Sequence, residues 1–197
     1  MLKVALLLTC LVCAWHCARA SDIAVVWSGV KNSSDCTLTF KDQHFRCTLG
    51  LNGVVPADIK TEGDGYTPAG AYPFRRSFYR ADRVHNTSAL VPLFFPMDVT
   101  RPDYGWCDDS ADQAYNEFIT LPYPGSSFEH LWLSDPAYDL FAVIGYNDAP
   151  AVPGKGSAIF FHVTETYSGT AGCVALSLVD LQWVLSRLDE TTRIVVS

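Results

Sequence analysis

Basic residues are scarce in this sequence. Its 197 residues contain 14 Lys and Arg against 21 Asp and Glu, which gives a formal net charge of −7. The positive residues are scattered and form no basic patch. Nucleic acids and anionic membrane surfaces attract proteins through clustered positive charge, so we expect neither as a partner.

Long hydrophobic runs are also absent, apart from a short one near the N-terminus. Residues 4–15 are mostly apolar, but a run of this length is too short to span a bilayer as a helix. Lys3 precedes the run, and residues 18–20 (Ala-Arg-Ala) fit the small-residue rule for signal cleavage. We predict a signal peptide over 1–20 and a single domain over 21–197, without stable membrane insertion. The protein would be secreted to the extracellular space, or to the periplasm or cell wall of a bacterial host.

The spacings that mark metal-dependent and phosphate-binding enzymes are missing too. Beyond residue 20 there is no His-x-x-x-His, His-x-His or Cys-x-x-Cys, so we predict no metal site. Gly63-x-Gly65 lacks the third glycine of a dinucleotide loop, and residues 153–157 lack phosphate-loop spacing. No Gly-x-Ser-x-Gly elbow is present, which argues against a serine hydrolase of that type. We therefore predict no cofactor.

Four cysteines remain beyond residue 20, and two of them flank a predicted hairpin. Cys36 and Cys47 lie on alternating segments separated by a turn at residues 42–43. A bridge across such a hairpin suits an oxidising compartment, so we predict a Cys36–Cys47 disulfide. Cys107 and Cys173 are then either two free thiols or a second disulfide, and the sequence leaves both open.

Two Asn-x-Ser tripeptides are consistent with a secretory route. They begin at Asn32 and Asn86. Each is expected to lie in a surface loop and to carry a glycan if the host glycosylates its secreted proteins.

Short β-branched and aromatic runs, separated by turn residues, dominate the chain after the leader. They predict strands at 23–27, 69–74, 89–95, 139–146, 157–163 and 193–196. One helix is predicted over 178–188, where leucines recur on one face and Ser177 is placed as the N-cap. The fold class is therefore mainly β, with one or two helices.

The sequence near the C-terminus brings together a histidine and a cysteine. His162 ends an apolar strand, and Cys173 follows a polar loop that we expect to reverse the chain. A thiol attacks as the thiolate, and a neighbouring imidazole supplies the base that it needs. The N–H groups of Gly172 and Cys173 are predicted to form an oxyanion hole, and the dipole of the following helix to favour the thiolate. A buried structural cysteine beside a satisfied histidine explains the same pattern.

This stretch resembles the signature of the L,D-transpeptidase catalytic domain family, the YkuD type. That signature is a histidine, a variable loop, and then Ser/Thr-x-Gly-Cys-hydrophobic, which matches His162 and residues 170–174. Residues 63–70 (Gly-Asp-Gly-Tyr-Thr-Pro-Ala-Gly) are similar to a second family element. Further segments that resemble compact family members lie at 105–109, 129–132 and 138–148. The likeness covers about residues 56–190.

The resemblance implies a mixed β-sandwich-like fold and a monomeric, cysteine-dependent L,D-transpeptidase acting on peptidoglycan stem peptides. Cys173 would be the nucleophile and His162 the general base and acid, oriented by a backbone carbonyl from residues 167–169. Three further side chains are expected to line the substrate cleft: Tyr146, His130 and Thr170. Two alternatives stay open. They are an L,D-carboxypeptidase or peptidoglycan hydrolase using the same pair, and a non-catalytic peptidoglycan-binding protein.

Two positions depart from the family pattern. Ala171 stands where a histidine usually precedes the Gly-Cys pair, and Ala175 stands where Arg or Asn is usual. The nucleophile and the base are kept, whereas side chains that help to fix the substrate are not. The sequence therefore does not choose between an amine and water as the acyl acceptor.

Overall fold

The computed structural model describes residues 21–85 and 96–197. The predicted leader, the Asn86 sequon and the predicted strand at 89–95 lie outside these residues. The described chain forms thirteen strands and one α-helix, so the predicted mainly β fold class is confirmed. The elements are β1 Ile23–Trp27, β2 Asp35–Phe40, β3 Gln43–Thr48, β4 Val54–Pro56, β5 Thr67–Tyr79, β6 Met97–Val99, β7 Tyr104–Cys107, β8 Phe118–Thr120, β9 Phe128–His130, β10 Leu140–Ile144, β11 Phe160–Val163, β12 Val174–Leu176, α1 Leu178–Leu185 and β13 Arg193–Val196.

Ten of these strands hydrogen-bond into one sheet that closes on itself. Its order is β10-β11-β12-β3-β2-β1-β13-β5-β4, and β6 also pairs with β5. The long strand β5 pairs with four strands, among them β13 through residues 70–73 and β10 through residues 74–79. The pairing with β10 joins the start of the strand path to β5, so β10, β11 and β12 each have a partner on both sides.

Alternate residues of these strands build the larger apolar core. In β2, for example, Cys36, Leu38 and Phe40 are buried while Asp35 and Thr37 are exposed, which is the period of two that a strand with one buried face requires. Helix α1 adds three side chains to the same core: Leu181, Val184 and Leu185. We call the face of the sheet that carries this core the inner face.

The opposite, outer face of β10 and β11 is covered by a second, three-stranded sheet of order β8-β7-β9. A smaller apolar cluster lies there and includes Trp106 of β7, Phe141 of β10 and Phe160 of β11. The rings of Trp106 and Phe160 meet edge to face at 5.3 Å. Because both faces are covered, β10 and β11 are buried along their whole length.

Three local predictions about the C-terminal region are wrong. Strand β11 begins at Phe160 and not at residue 157, because Ala158 has a φ of +52° that interrupts extended backbone. The loop after β11 does not reverse the chain, since β11 and β12 run parallel. Cys173 precedes a strand rather than a helix, and β12 places the start of α1 about 10 Å further along the chain. The helix dipole, which acts mainly over its first turn, therefore does not act at the thiol.

Candidate active site

His162 and Cys173 project from neighbouring strands onto the outer face. In the parallel register of β11 and β12, Phe161 lies opposite Val174, and both belong to the inner core. Strand alternation therefore turns His162, the next residue, to the outer face. Cys173, one residue before Val174, lies in the outer cluster together with Phe160.

The imidazole of His162 is oriented by the backbone. Its Nδ1 lies 2.8 Å from the carbonyl oxygen of Val163. Since a carbonyl only accepts hydrogen bonds, Nδ1 carries the hydrogen and Nε2 is left as the basic nitrogen. Val163 thus takes the place of the carbonyl expected from residues 167–169. Burial lowers the pKa of His162 despite this hydrogen bond, so the ring is neutral at neutral pH.

Cys173 is 7% exposed, and its thiol forms hydrogen bonds with two backbone groups. Sγ donates to the Ala158 carbonyl and accepts from the Phe160 N–H, both at 3.3 Å. Burial raises the pKa of Cys173 to about 12, and the negative charge of Glu129 adds to the rise. The Phe160 N–H and Lys60 act in the opposite direction. Thiol and imidazole are therefore both neutral at rest, and any deprotonation of Cys173 must accompany its attack on a substrate.

A cavity of about 240 Å³ opens beside both residues. The side chains that line it include the pair itself and four further polar groups: Cys173, His162, Lys60, Glu62, Glu129 and Tyr138. The Tyr138 ring meets the His162 ring edge to face at 5.6 Å. The structure thus brings the predicted nucleophile and base to one concave site, which is the arrangement that covalent catalysis requires.

The residues just before Cys173 form a tight turn held by one hydroxyl. Thr170 Oγ1 donates to the Cys173 carbonyl at 2.8 Å and accepts from the Gly172 N–H at 3.1 Å. Gly172 has a φ of +153°, and a Cβ there would lie 3.0 Å from the carbonyl oxygen of Tyr66, so a side chain is disfavoured for two reasons. Thr170 lines the cavity, but its hydroxyl is already engaged in holding the turn.

The two alanines that depart from the family pattern lie on either side of Cys173. Ala171 is exposed and lines the cavity. Ala175 is fully buried in β12, between His162 on β11 and Thr48 on β3. A long polar side chain at position 175 would lie beneath the outer cover rather than in solvent.

Two predicted cleft residues lie away from the cavity. His130 is exposed at the end of β9, where its ring contacts Phe128 at 5.3 Å. Tyr146 belongs to the larger core, and its hydroxyl donates to the Lys155 carbonyl at 2.6 Å. Neither side chain lines the cavity beside Cys173.

The residue before His130 lies where the histidine was expected. Glu129 is its neighbour in β9, and successive strand residues point to opposite faces, so only one of the two reaches the cavity. Glu129 Oε2 accepts a hydrogen bond of 2.6 Å from the Tyr138 hydroxyl. Strand alternation identifies one of the pair as a site residue, but the sequence does not show which.

Lys60 and Glu62 were also missed, although they adjoin the Gly-Asp-Gly segment. Lys60 is 2% exposed, and its Nζ lies 2.8 Å from Asp64 Oδ1. Glu62 Oε2 accepts hydrogen bonds from Ser157 Oγ at 2.7 Å and from the Tyr115 hydroxyl. A Lys-x-Glu pattern in a polar loop resembles any solvated surface, and only the tertiary structure buries Lys60 and brings both side chains to the cavity.

The buried amide of Asn116 fixes the part of the cavity wall that contacts the thiol. Its Oδ1 accepts from Trp106 Nε1 and from the Ala158 N–H, both at 3.0 Å. Its Nδ2 donates to the carbonyls of Tyr146 and Asn147. All four hydrogen-bonding positions of this amide are thus used, and they hold Ala158, whose carbonyl accepts from Cys173.

The cysteine pairing predicted for the hairpin is present. Cys36 and Cys47 lie opposite each other in β2 and β3 and form a disulfide, with their Cα atoms 4.9 Å apart. Cys107 and Cys173 are both free and buried, so the alternative of a second disulfide is wrong. Asn32, the sequon within the described chain, is exposed and has a φ of +60°.

Within residues 21–85 and 96–197, no group of three or more His, Cys, Asp or Glu side chains is placed to hold a metal ion. The same residues include no helix long and apolar enough to cross a membrane. The side chains that line the cavity offer a thiol, an imidazole, two carboxylates, a phenol and one ammonium group.

Several solved structures are similar to this chain at low identity. L,D-transpeptidase 1 from Mycobacterium tuberculosis is 12% identical over 89% of this chain and 61% of its own, with a TM-score of 0.35. An L,D-transpeptidase from Mycobacterium smegmatis is 12% identical over 89% and 58%, with a TM-score of 0.34. The helical cell shape determining protein Pgp2 from Campylobacter jejuni is 15% identical over 89% and 47%, with a TM-score of 0.34. The chain thus spans about three fifths or less of these structures, and no curated protein sequence matches it significantly.

The model of one protein family matches most of the chain. It describes the L,D-transpeptidase catalytic domain, YkuD, and it matches residues 31–196. The match includes the Cys36–Cys47 hairpin and strand β13, so it is wider than the segment of about 56–190 that carries the sequence resemblance. This protein belongs to the YkuD family of L,D-transpeptidase catalytic domains.

Proposed function

We propose that this protein is a secreted, cysteine-dependent L,D-transpeptidase that acts on peptidoglycan stem peptides through an acyl-enzyme on Cys173. One observation carries the proposal. Cys173 and His162 line the same cavity, and the hydrogen bond from Nδ1 to Val163 leaves Nε2 of His162 as the unprotonated ring nitrogen.

In the acylation step, Cys173 Sγ attacks the carbonyl carbon on the L side of an L,D-peptide bond. His162 Nε2 accepts the thiol proton as the C–S bond forms, and then gives it to the leaving D-amino acid as the C–N bond breaks. No hydrogen bond joins Cys173 to His162 in the described chain, and the thiol donates to Ala158 instead. Substrate binding must therefore turn the thiol away from the Ala158 carbonyl and toward the imidazole, as catalytic hydrogen bonds often tighten only in the substrate complex.

The oxyanion that forms in this step requires backbone donors. The Gly172 N–H, which the sequence suggested, already donates to Thr170 Oγ1 at 3.1 Å. We assign the first oxyanion donor to the Cys173 N–H, in the turn that Thr170 holds rigid. A fixed donor of this kind lowers the barrier because it needs no reorganisation during the reaction.

The acyl-enzyme is resolved by an amine from a second stem, which gives a cross-link, or by water, which gives a trimmed stem. The binding-protein alternative predicted a Cys173 that is buried or disulfide-bonded. Cys173 is buried, but it is unpaired and lines a cavity that it shares with a neutral imidazole. A purely structural thiol gives no reason for that cavity, so we favour turnover.

The test is incubation of the purified protein with tetrapeptide muropeptides, followed by mass spectrometry of the products. We expect cross-linked or trimmed stems from the native protein and neither from a Cys173→Ala variant. Cys107→Ala is the matched control, since it removes the other free buried thiol and should leave both products. Products that persist in Cys173→Ala, or that disappear only in Cys107→Ala, would contradict the proposal.

A further inference from the structure

The charges that line the cavity are not balanced. Among the residues that the structure describes, Lys60 is its only basic side chain apart from the histidine. The ammonium group lies 2.8 Å from Asp64 Oδ1 and donates to the Thr61 carbonyl at 2.7 Å. Neither Glu62 nor Glu129 forms an ion pair with any residue of the described chain. The cavity therefore has two carboxylates and no free cation to neutralise them, a distribution that favours a positively charged ligand.

Each glutamate keeps one carboxylate oxygen without a side-chain donor in the described chain, but Glu62 is exposed whereas Glu129 is half-buried. Glu62 accepts hydrogen bonds from the hydroxyl groups of Ser157 and Tyr115, both at Oε2. Glu129 accepts one side-chain hydrogen bond, from Tyr138 to its Oε2, and its Oε1 has no side-chain donor within residues 21–85 and 96–197. Glu129 thus retains an acceptor for a ligand.

Tyr138 connects Glu129 to the reacting pair. Its hydroxyl holds the carboxylate at 2.6 Å, while its ring contacts the His162 ring at 5.6 Å and the Phe160 ring at 5.6 Å. The charge of Glu129 also acts on Cys173, whose pKa it helps to raise. The Tyr138 hydroxyl therefore holds Glu129 in the cavity that His162 and Cys173 also line.

The surroundings of Glu129 make it a stronger base than an exposed carboxylate. Burial raises the pKa of Glu129, the negative charges of Asp108 and Glu62 raise it further, and the Tyr138 hydroxyl opposes the rise. The Asp108 Oδ1 atom is itself buried without a hydrogen-bond partner in the described chain. An ammonium group placed here would relieve this repulsion, and a carboxylate of raised pKa is better matched to removing its proton near neutral pH.

We propose that Glu129 binds the ammonium group of the incoming acyl acceptor and takes one proton from it, which selects an amine over water. The inference rests on the proposed function, because it concerns the second half of that reaction.

The step is balanced within the site. Glu129 takes one proton from the acceptor ammonium, and the neutral amine attacks the carbonyl carbon of the Cys173 thioester. As the C–N bond forms and the C–S bond breaks, His162 takes the second proton of the amine and returns it to the departing thiolate. The products are the cross-linked stem, a neutral Cys173 thiol and a protonated Glu129, which releases its proton to solvent.

The test compares two nucleophiles on the same acyl-enzyme. One is a stem peptide with a side-chain ammonium group, and the other is hydroxylamine, which is uncharged above neutral pH. Glu129→Gln should lower the ratio of cross-linked to trimmed stems about 100-fold, in the range of general-base contributions. Hydroxylamine should trap the acyl-enzyme as well in the variant as in the native protein, because it brings no charge to be bound.

Glu117→Gln is the matched control, since Glu117 is an exposed glutamate between β7 and β8 and does not line the cavity. It should leave the ratio unchanged. An unchanged ratio in Glu129→Gln, or an equal loss with both nucleophiles, would overturn the inference. Failure of the native protein to form an acyl-enzyme at all would instead overturn the proposed function.

A second measurement does not depend on the folding of the glutamine variant. In the native protein the ratio of cross-linked to trimmed stems should fall as pH falls and Glu129 becomes protonated. Tyr138→Phe keeps the ring but removes the hydrogen bond that lowers the pKa of Glu129, so the fall should begin at a higher pH. Profiles that coincide in the native protein and Tyr138→Phe would contradict the role of Glu129.

Discussion

The two faces of strand β11 are buried to a similar degree but carry different chemistry. On the inner face, Phe161 and Val163 pack only among apolar side chains of the larger core. On the outer face, Phe160 lies beside His162 and Cys173, under the sheet formed by β7, β8 and β9. His162 is 8% exposed and Phe161 is 0% exposed, so burial alone does not distinguish them. The outer face differs because it carries polar side chains that can still accept a proton or a hydrogen bond from a ligand.

The comparison predicts that neighbouring residues of β11 fail in different ways. Phe161→Ala removes a fully buried ring that packs against Phe74 at 5.9 Å between centroids. We expect the free energy of unfolding to fall by about 3–5 kcal/mol, the usual cost of such a cavity. Urea unfolding followed by fluorescence measures it. A loss below about 1 kcal/mol, far under that range, would show that the inner face is not the stabilising one.

Substitution of His162, the next residue, should reduce activity strongly and stability only slightly. His162→Gln keeps an N–H donor for the Val163 carbonyl but removes the base. We expect the acylation rate to fall about 10²–10⁴-fold. The free energy of unfolding should change far less than in Phe161→Ala. Mass spectrometry of the acyl-enzyme in samples quenched at successive times gives the rate. Equal stability losses in the two variants would remove the distinction between the faces.

Asn116 tests whether the outer face also has a structural component. Replacing it with Ala leaves the Trp106 Nε1 and the Ala158 N–H without their buried acceptor, and should destabilise the fold by about 2–3 kcal/mol. The Ala158 carbonyl should then hold the thiol less firmly, which iodoacetamide labelling of Cys173 would report. Asn116→Asp keeps the acceptor and should recover part of the stability. If Asn116→Asp recovers no stability, the loss in Asn116→Ala comes instead from the Nδ2 hydrogen bonds to the Tyr146 and Asn147 carbonyls.

The smallest expected effect is in the pH dependence of stability. Burial lowers the pKa of His162 below its ordinary value of 6.5, so below that pH the unfolded chain binds a proton that the folded chain does not. The native protein should therefore lose stability as pH falls through this range, and His162→Gln should lose less. Phe161→Ala should keep the native slope. Parallel curves for the native protein and His162→Gln would show that the pKa of His162 is the same in the folded and unfolded chains.

Local patterns predicted much of this structure. The limits of β1 and β13 agree with the β-branched runs that predicted them, and the Cys36–Cys47 disulfide follows from its hairpin. His162 and Cys173 were found because the family motif contains both residue types in this order. The remaining site residues come from distant segments: Lys60 and Glu62 from a loop before β5, and Glu129 from the second sheet. Nothing local tells such residues from other surface residues, because only the tertiary structure brings their segments to one cavity.

The error at β9 has a similar origin. Residue type alone favours a histidine over a glutamate as a site residue, yet the strand directs Glu129 and not His130 to the cavity. The orientation of β9 follows from its pairing with β7, where Trp106 lies opposite Glu129. The type of a residue does not show which face of the strand it occupies. The pairing register decides this, since a shift of one residue exchanges the two faces.

The most direct test of the central claim is the intact mass of the protein after incubation with a carbapenem, a β-lactam class expected to acylate this family. We predict a single covalent adduct on the native protein, the same adduct on Cys107→Ala, and none on Cys173→Ala. An adduct that survives in Cys173→Ala would place the reactive group elsewhere. The absence of any adduct, with Cys173 confirmed as a free thiol, would contradict an activated nucleophile on the outer face.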